Sequence, residues 1–412
     1  MTFKGLYLSG QVEFEEIDRF ISRWNNSDDE RTLAKYLGLN AEEEDVWIDD
    51  SDEALQDMLD SYEKVAGTPV TLGRTGIIVN KNGFGALPMQ RVSMEAARAL
   101  LRKAYDAGIR FFDTARDYTD SEEKIGHALS GVRDKIYIAT KTSAKTVDKF
   151  WQDLDTSLHN LKTDYVDIYQ FHNPAFCPKP GDGSGLYEAM LKAREQGMIR
   201  YIGITNHRMA VAEEAVESGL YDTLQFPFNY LSTERELALA ESCRKQNMGF
   251  IAMKGLSGGL ITDAAVIYAW MLSYENVLPI WGVQREAELD EFISYIDNPP
   301  ELTDERNAVI EKDRKELAGS FCRACGYCLP CPSGIEINLC ARMSLLLRRM
   351  PPDDFLTEEG QAKMKKIEDC VHCGQCRDKC PYGLDTPSLL EEENGPGPLQ
   401  FTPRPKAARC EQ

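Results

Sequence analysis

Between residues 70 and 298 the chain alternates two patterns. Short apolar runs occur at 76–79, 83–87, 109–112, 136–139, 165–170, 200–204, 223–226, 249–252 and 277–280. Runs of four to six residues without polar alternation fit strands buried on both faces, as in a parallel sheet. From Met94 onward they are separated by stretches with apolar residues every three or four positions, such as 146–161, 185–196 and 233–246, which predict helices. The first run reads as part of a hairpin closing the bottom of a barrel, which leaves eight strands. Eight alternating strand and helix units predict an α/β fold of the (β/α)8 TIM-barrel type.

The flanks read differently. Residues 1–66 form an acidic extension in which Phe14, Ile17, Phe20, Ile21 and Trp24, then Leu33, Tyr36, Leu37 and Leu39, recur at helical spacing. Ser51-Asp52-Glu53 marks the start of a further helix over 54–59. Ala66-Gly67-Thr68-Pro69 reads as a linker. The barrel is expected over 67–300, a helical linker and cysteine-rich domain over 301–390, and a Pro- and Gly-rich tail over 391–412.

Charge narrows the partners. Residues 1–67 carry 18 Asp and Glu against 6 Lys and Arg, so over half of the chain's net charge of −20 lies there. That balance argues against nucleic acid and anionic membranes, and leaves the extension as a solvated helical cap or a docking site for a basic partner. No apolar run approaches the roughly 20 residues of a membrane span, and the N-terminus turns acidic too early for a signal peptide. The expected location is the cytoplasm, where twelve cysteines point to metal rather than disulfides.

In a TIM barrel the chemistry collects where the strands end. The run at 109–112 stops at Asp113, with Tyr118 on the loop beyond; KIYIATK reaches Lys141, YVDIYQFH ends at His172, IRYIGITN at Thr205-Asn206, and DTLQFPFNY passes Gln225. Each residue alone has a plain structural reading. An acid, a phenol, an amine and an imidazole at three successive strand ends form a constellation suited to proton transfer.

In order along the chain stand TLGRTG, GFGALP, FFDTARDY, SEEKIGHAL, IATKT, YQFHNP, YIGITN and MKGLSGG. This series resembles the aldo-keto reductases over more than half of the chain. The resemblance implies nicotinamide-dependent reduction of a carbonyl, or oxidation of an alcohol, with NADP(H) or NAD(H) extended across the barrel mouth. The absence of a G-x-G-x-x-G loop agrees with that mode. It implies a catalytic tetrad of Asp113, Tyr118, Lys141 and His172. A free phenol near pKa 10 is a poor acid at neutral pH, so Lys141 would stabilise the phenolate and Asp113 would hold Lys141. Thr205, Asn206 and Gln225 would hold the carboxamide and Gly85 would flank the ring. Met253 stands where the family commonly stacks an aromatic residue, followed by Lys254. Gln284 and Arg285 would grip phosphate, and Phe292 replaces a customary polar residue, leaving NADP against NAD open.

The last third carries Cys322-x2-Cys325-x2-Cys328-x2-Cys331-Pro332 and Cys370-x2-Cys373-x2-Cys376-x3-Cys380-Pro381. The second run is the bacterial ferredoxin spacing, in which three thiolates wrap one [4Fe–4S] cubane and the fourth serves the other. Cys322, Cys325 and Cys328 are therefore paired with Cys380, and Cys370, Cys373 and Cys376 with Cys331, with Cys340 as a substitute for Cys331. Zinc is the competing reading, but its ribbons show paired CxxC units. Helical segments such as 341–348 predict a mainly α-helical dicluster ferredoxin-like domain. Cys177, Cys243 and Cys410 lack partners at motif spacing.

Together the parts resemble aldo-keto reductases bearing a C-terminal 4Fe–4S ferredoxin-type domain. The rival reading is an iron–sulfur electron-transfer protein whose barrel is a nicotinamide-binding scaffold. The expected partners are a small carbonyl or alcohol and an electron-transfer protein. Hydride carries two electrons and a cluster one, and no flavin motif links them.

Overall fold

A computed structural model describes residues 2–62, 64–317, 321–350 and 352–394. The chain forms two compact units. One comprises the residues up to Gly255 together with Asp263–Arg314; the other comprises Leu256–Thr262 and the chain from Lys315 onward.

The first unit is built on ten strands: β1 (Pro69–Thr71), β2 (Ile78–Asn80), β3 (Gly83–Gly85), β4 (Phe111–Asp113), β5 (Tyr137–Thr142), β6 (Val166–His172), β7 (Ile199–Thr205), β8 (Thr223–Pro227), β9 (Gly249–Met253) and β10 (Val277–Gly282). Strands β3 to β10 close into an eight-stranded barrel in chain order, every neighbour parallel. The predicted barrel stands. β1 and β2 pair as an antiparallel hairpin, and their Val70, Leu72, Ile77 and Val79 pack on Phe111, Ala139, Ile168, Ile251 and Leu278 from the barrel interior. The hairpin thus fills the end of the barrel with apolar side chains, which a closed barrel needs because its interior is packed rather than hollow. Pro69, read as linker, is the first residue of β1, a strand position that proline tolerates.

The surrounding helices start where local chemistry satisfies free backbone N–H groups. Ser93 caps Met94–Asp106, Thr146 caps Val147–Leu161, and Thr233 with Glu236 forms a capping box on Glu234–Lys245. Among its described residues the acidic extension holds five α-helices, Phe3–Leu8, Ile17–Asn25, Leu33–Leu37, Ala41–Asp49 and Asp52–Asp60. Ser51 caps the last of them as predicted, accepting from Ala54 N. Phe3–Leu8 went unread in the sequence. Phe14, Ile17, Phe20, Leu37 and Leu39 form the extension's own core with Phe3, Leu55 and Leu59, and Ile78 of β2 belongs to the same cluster. Buried Lys4 pairs with Glu43, whose Oε1 also accepts from Tyr62 Oη at 3.0 Å.

The second unit is helical among its described residues, with Ile337–Cys340, Met343–Arg349, Glu358–Lys365, Gln375–Asp378 and Thr386–Asn394 around Ile335, Ile337, Met343, Met364, Ile367 and Leu390. The last helix extends into the segment read as tail; residues 395–412, Cys410 among them, lie outside the described residues. Among the described residues no helix is long and apolar enough to cross a membrane.

Candidate active site and iron–sulfur centre

Strand register sets the site. Gly85 pairs with Asp113, Lys141 with Gln170, His172 with Thr205, and Thr205 with Gln225, so these residues crowd one end of the barrel. Gly85 is needed for close approach, since a Cβ there would lie 3.1 Å from the Trp281 carbonyl oxygen.

Lys141 Nζ donates to both oxygens of Asp113 at 2.7 Å and to Thr114 O at 2.5 Å. Lys141 is 1% exposed and Asp113 2%, so the pair is withdrawn from water. Burial pushes the Asp113 carboxyl up and the Lys141 ammonium down, and each is opposed by the charge of the other. The same Nζ lies 5.3 Å from the centroid of the Tyr118 ring. His172 meets that ring edge-on at 5.8 Å. The four residues expected to form a tetrad are therefore neighbours in space.

The loop carrying Tyr118 is pinned on both sides. Tyr118 N donates to Ala115 O, Ser121 N to Tyr118 O, and Arg116 N to Lys141 O. Arg116 also forms an ion pair with buried Glu122, which accepts from Thr140 Oγ1 at 2.6 Å. His172 Nδ1 lies 3.4 Å from Asp117 Oδ2, without the alignment of a hydrogen bond. The imidazole nevertheless holds the Asp117 carboxyl below its usual range.

Three polar residues of this region escaped the sequence reading. Gln170 Nε2 donates to Gln225 Oε1 at 2.9 Å and approaches Asp113 Oδ1 at 3.4 Å, while Gln225 Nε2 approaches Asp113 Oδ2 at 3.4 Å. Glu122 is the second. His207 is the third, held well below the ordinary imidazole value by burial, then by Lys254, His172 and Arg208. A period of two along β6 puts Gln170 on the face of His172, a signal available in the sequence.

The expected cofactor residues divide. Thr205 and Gln225 sit side by side, and Met253 Sδ is 4.0 Å from Thr205 Oγ1. Lys254 follows with a left-handed backbone, φ 59°, its carbonyl accepting from Asn229 Nδ2. Asn206 is occupied: its Nδ2 donates to Pro174 O, and its Oδ1 accepts from His207 N and Arg208 N. Arg285 grips Glu288 through Nε at 2.8 Å and Nη2 at 2.6 Å, and Glu288 also accepts from Gln284 N. Phe292 stacks on Trp281 at 4.5 Å, a core role that explains its apolar character.

In the second unit no described cysteine is joined in a disulfide. Cys331, Cys370, Cys373 and Cys376 line one cavity with Cys328. The Cys328 thiol is pushed up to about 12, by burial first and then by Cys322 and Cys325. Cys340 is fully buried, with Sγ 3.5 Å from Lys363 O. Among the described residues no three side chains of His, Cys, Asp or Glu converge as a single metal ion would require. A cubane, by contrast, spreads its ligands over separate corners. Cys177 and Cys243 are buried in the first unit.

Residues 81–266 match the model of the aldo/keto reductase family, and residues 321–385 that of the 4Fe-4S dicluster domain. An aldo-keto reductase of Mycobacterium avium is 35% identical over 47% of this chain and 73% of its own length. L-galactose dehydrogenase of Arabidopsis thaliana is 30% identical over 47% of this chain and 66% of its own. The chain spans about half to two thirds of the first curated relatives it matches. A crystal structure of an aldo-keto reductase from Klebsiella pneumoniae in complex with NADPH shares the fold, with a TM-score of 0.52 and 23% identity over 60% of this chain and 94% of that one.

Proposed function

The chain belongs to the aldo/keto reductase family and carries a 4Fe-4S dicluster domain, and from that premise we propose that its barrel reduces a carbonyl, or oxidises the corresponding alcohol, with NADP(H) or NAD(H). The observation that carries this reading is Lys141, held by both oxygens of Asp113 and set over the Tyr118 ring.

The residues present fit a nicotinamide. Thr205 and Gln225 emerge side by side to take a carboxamide, Met253 offers a thioether to cover the ring, and buried Gln170 Oε1 accepts no hydrogen bond in this cluster. Bound there, the cofactor supplies the hydride. Tyr118 gives its proton to the oxygen that gains negative charge. The Lys141 ammonium stabilises the phenolate left behind, and Asp113 keeps that ammonium charged and oriented. His172, edge-on to Tyr118, donates to the same oxygen and aligns the substrate. Lys254, Gln284 and Arg285 serve the phosphates, Arg285 only by leaving Glu288.

Two clusters are assigned to Cys322, Cys325, Cys328 with Cys380, and to Cys370, Cys373, Cys376 with Cys331. The cavity shared by Cys331, Cys370, Cys373 and Cys376 supports Cys331 over Cys340 as the fourth ligand. The barrel over 67–300, the cluster domain over 301–390, the cytoplasmic location and an external electron partner complete the reading.

The test is Tyr118→Phe. We expect carbonyl reduction to fall by about a hundredfold or more, the scale of a lost general acid, with iron content unchanged. Unaltered turnover would remove the tetrad assignment.

A further inference from the structure

The segment that leaves β9, Leu256–Thr262, belongs to the compact unit of the cysteine-rich domain, although it directly follows Met253-Lys254-Gly255 in the chain. Its backbone is unusual. Ser257, Gly258 and Gly259 have φ of 49°, 63° and 92°, three successive residues in the left-handed region. A serine there is strained, and such a conformation persists only when its surroundings impose it.

Arg342 imposes it. Its Nη1 donates to Ser257 O at 3.2 Å and its Nη2 donates to Gly258 O. A Cβ on Gly258 would lie 3.1 Å from the same Nη1, so glycine lets the guanidinium approach. Arg349 adds a bond from Nε to Leu260 O at 2.5 Å and is itself paired with Glu316. Arg342 is 3% exposed. The first cysteine run reaches the same glycine, since a Cβ on Gly258 would also lie 3.5 Å from the Cβ of Ala324, which stands between Cys322 and Cys325, both assigned to the first cluster. Within the second unit, Arg342 and the first cysteine run therefore both close on the loop that follows Met253 and Lys254 in the chain.

Resting on the nicotinamide reading above, we propose that Arg342 is a positioning residue through which the iron–sulfur unit holds the loop after β9, so that cluster integrity sets nicotinamide affinity. On this view the clusters need pass no electron to the barrel. Their presence keeps the run 322–325 in place against Gly258, where Arg342 holds the loop, and the loop in turn keeps Met253 and Lys254 set for the cofactor.

The experiment is an anaerobic titration of the full chain with NADPH and NADH, read by nicotinamide fluorescence, beside iron and sulfide analysis. If the free loop holds its bound form a tenth of the time, the dissociation constant of Arg342→Met rises about tenfold. Iron content should be unchanged, and Arg342→Lys should recover part of the loss. Stripping the clusters from wild type with a chelator should weaken binding by a similar factor, and stripping Arg342→Met should add little, because both act on one linkage. Equal affinities of wild type and Arg342→Met, or fully additive losses, would overturn the inference. If Arg342→Met does not fold, Arg349→Met, which frees the Leu260 carbonyl and Glu316 but keeps both Arg342 bonds, should show a smaller rise, and none would count against it. A wild-type holoprotein that binds no nicotinamide would instead defeat the reading on which the inference rests.

Discussion

Replacing Asp113 by Asn keeps the size of the side chain and removes its charge. In the native site the carboxylate takes two bonds of 2.7 Å from Lys141 and is approached by the amides of Gln170 and Gln225. Lys141 is 1% exposed, and the charge of Asp113 raises its proton affinity against burial. Removing one partner of a buried pair costs about 3–5 kcal/mol, because a charge is left uncompensated. At about 2–4 °C per kcal/mol, the Tm at pH 7 should fall by roughly 10 °C. The cost has a direction in pH. With Asn at 113, folded Lys141 binds its proton more weakly than in the unfolded chain, whose lysines titrate near 10.4. The unfolded state then holds more protons, so stability rises with pH, by up to about 1.4 kcal/mol per unit, until the unfolded lysine also deprotonates. Anaerobic thermal unfolding of wild type and Asp113→Asn at pH 7 and pH 9, clusters intact, should show the gap narrowing at pH 9. A gap that is equal or wider at pH 9 would refute the claim that an orphaned Lys141 charge is what the substitution exposes.

Cys331→Ser should lower iron from about eight per chain toward four, whereas Cys340→Ser should leave it unchanged, since that thiol faces the Lys363 carbonyl; anaerobic iron and sulfide analysis decides, and the reverse outcome would exchange the two ligands. Glu288→Gln should release Arg285 for a 2′-phosphate and raise affinity for NADP(H) relative to NAD(H) about two- to fivefold, the modest scale of an exposed ion pair; an unchanged ratio of dissociation constants would show that Arg285 does not meet the cofactor.

What could be read in the sequence was what depends on neighbours along the chain. The apolar run before Asp113 is the body of β4, which ends at that residue. Ser51 followed by acids predicted a helix start, and Ser51 caps that helix. The barrel was legible because buried parallel strands lose polar alternation over every turn of the repeat. Other features are held by partners distant in the chain. Gln170 meets Asp113 and Gln225 across 57 and 55 positions. Arg342 finds the loop after β9 across 85. Arg285 and Glu288 are close in sequence, yet a helix-cap pair and a phosphate grip use the same residue types, so the local pattern could not choose between them. Lys4 resembles any surface lysine until Glu43 and Tyr62 close around it.

The distinction bears on why one chain joins a hydride barrel to one-electron centres. A cluster that fed electrons to nicotinamide would need a group able to pair them, and the sequence carries no flavin motif to supply it. A cluster that fixes a fold needs only ligands and a path of contacts. On the proposed assignment the second unit holds both, the cysteines of the run 322–331 and a path in which Ala324 and Arg342 close on Gly258 and Arg342 binds the carbonyls of Ser257 and Gly258. Metal binding is then folding free energy delivered to one loop. Oxidative loss of a cluster would weaken cofactor binding without touching Asp113, Tyr118, Lys141 or His172, and restoring iron and sulfide would restore it.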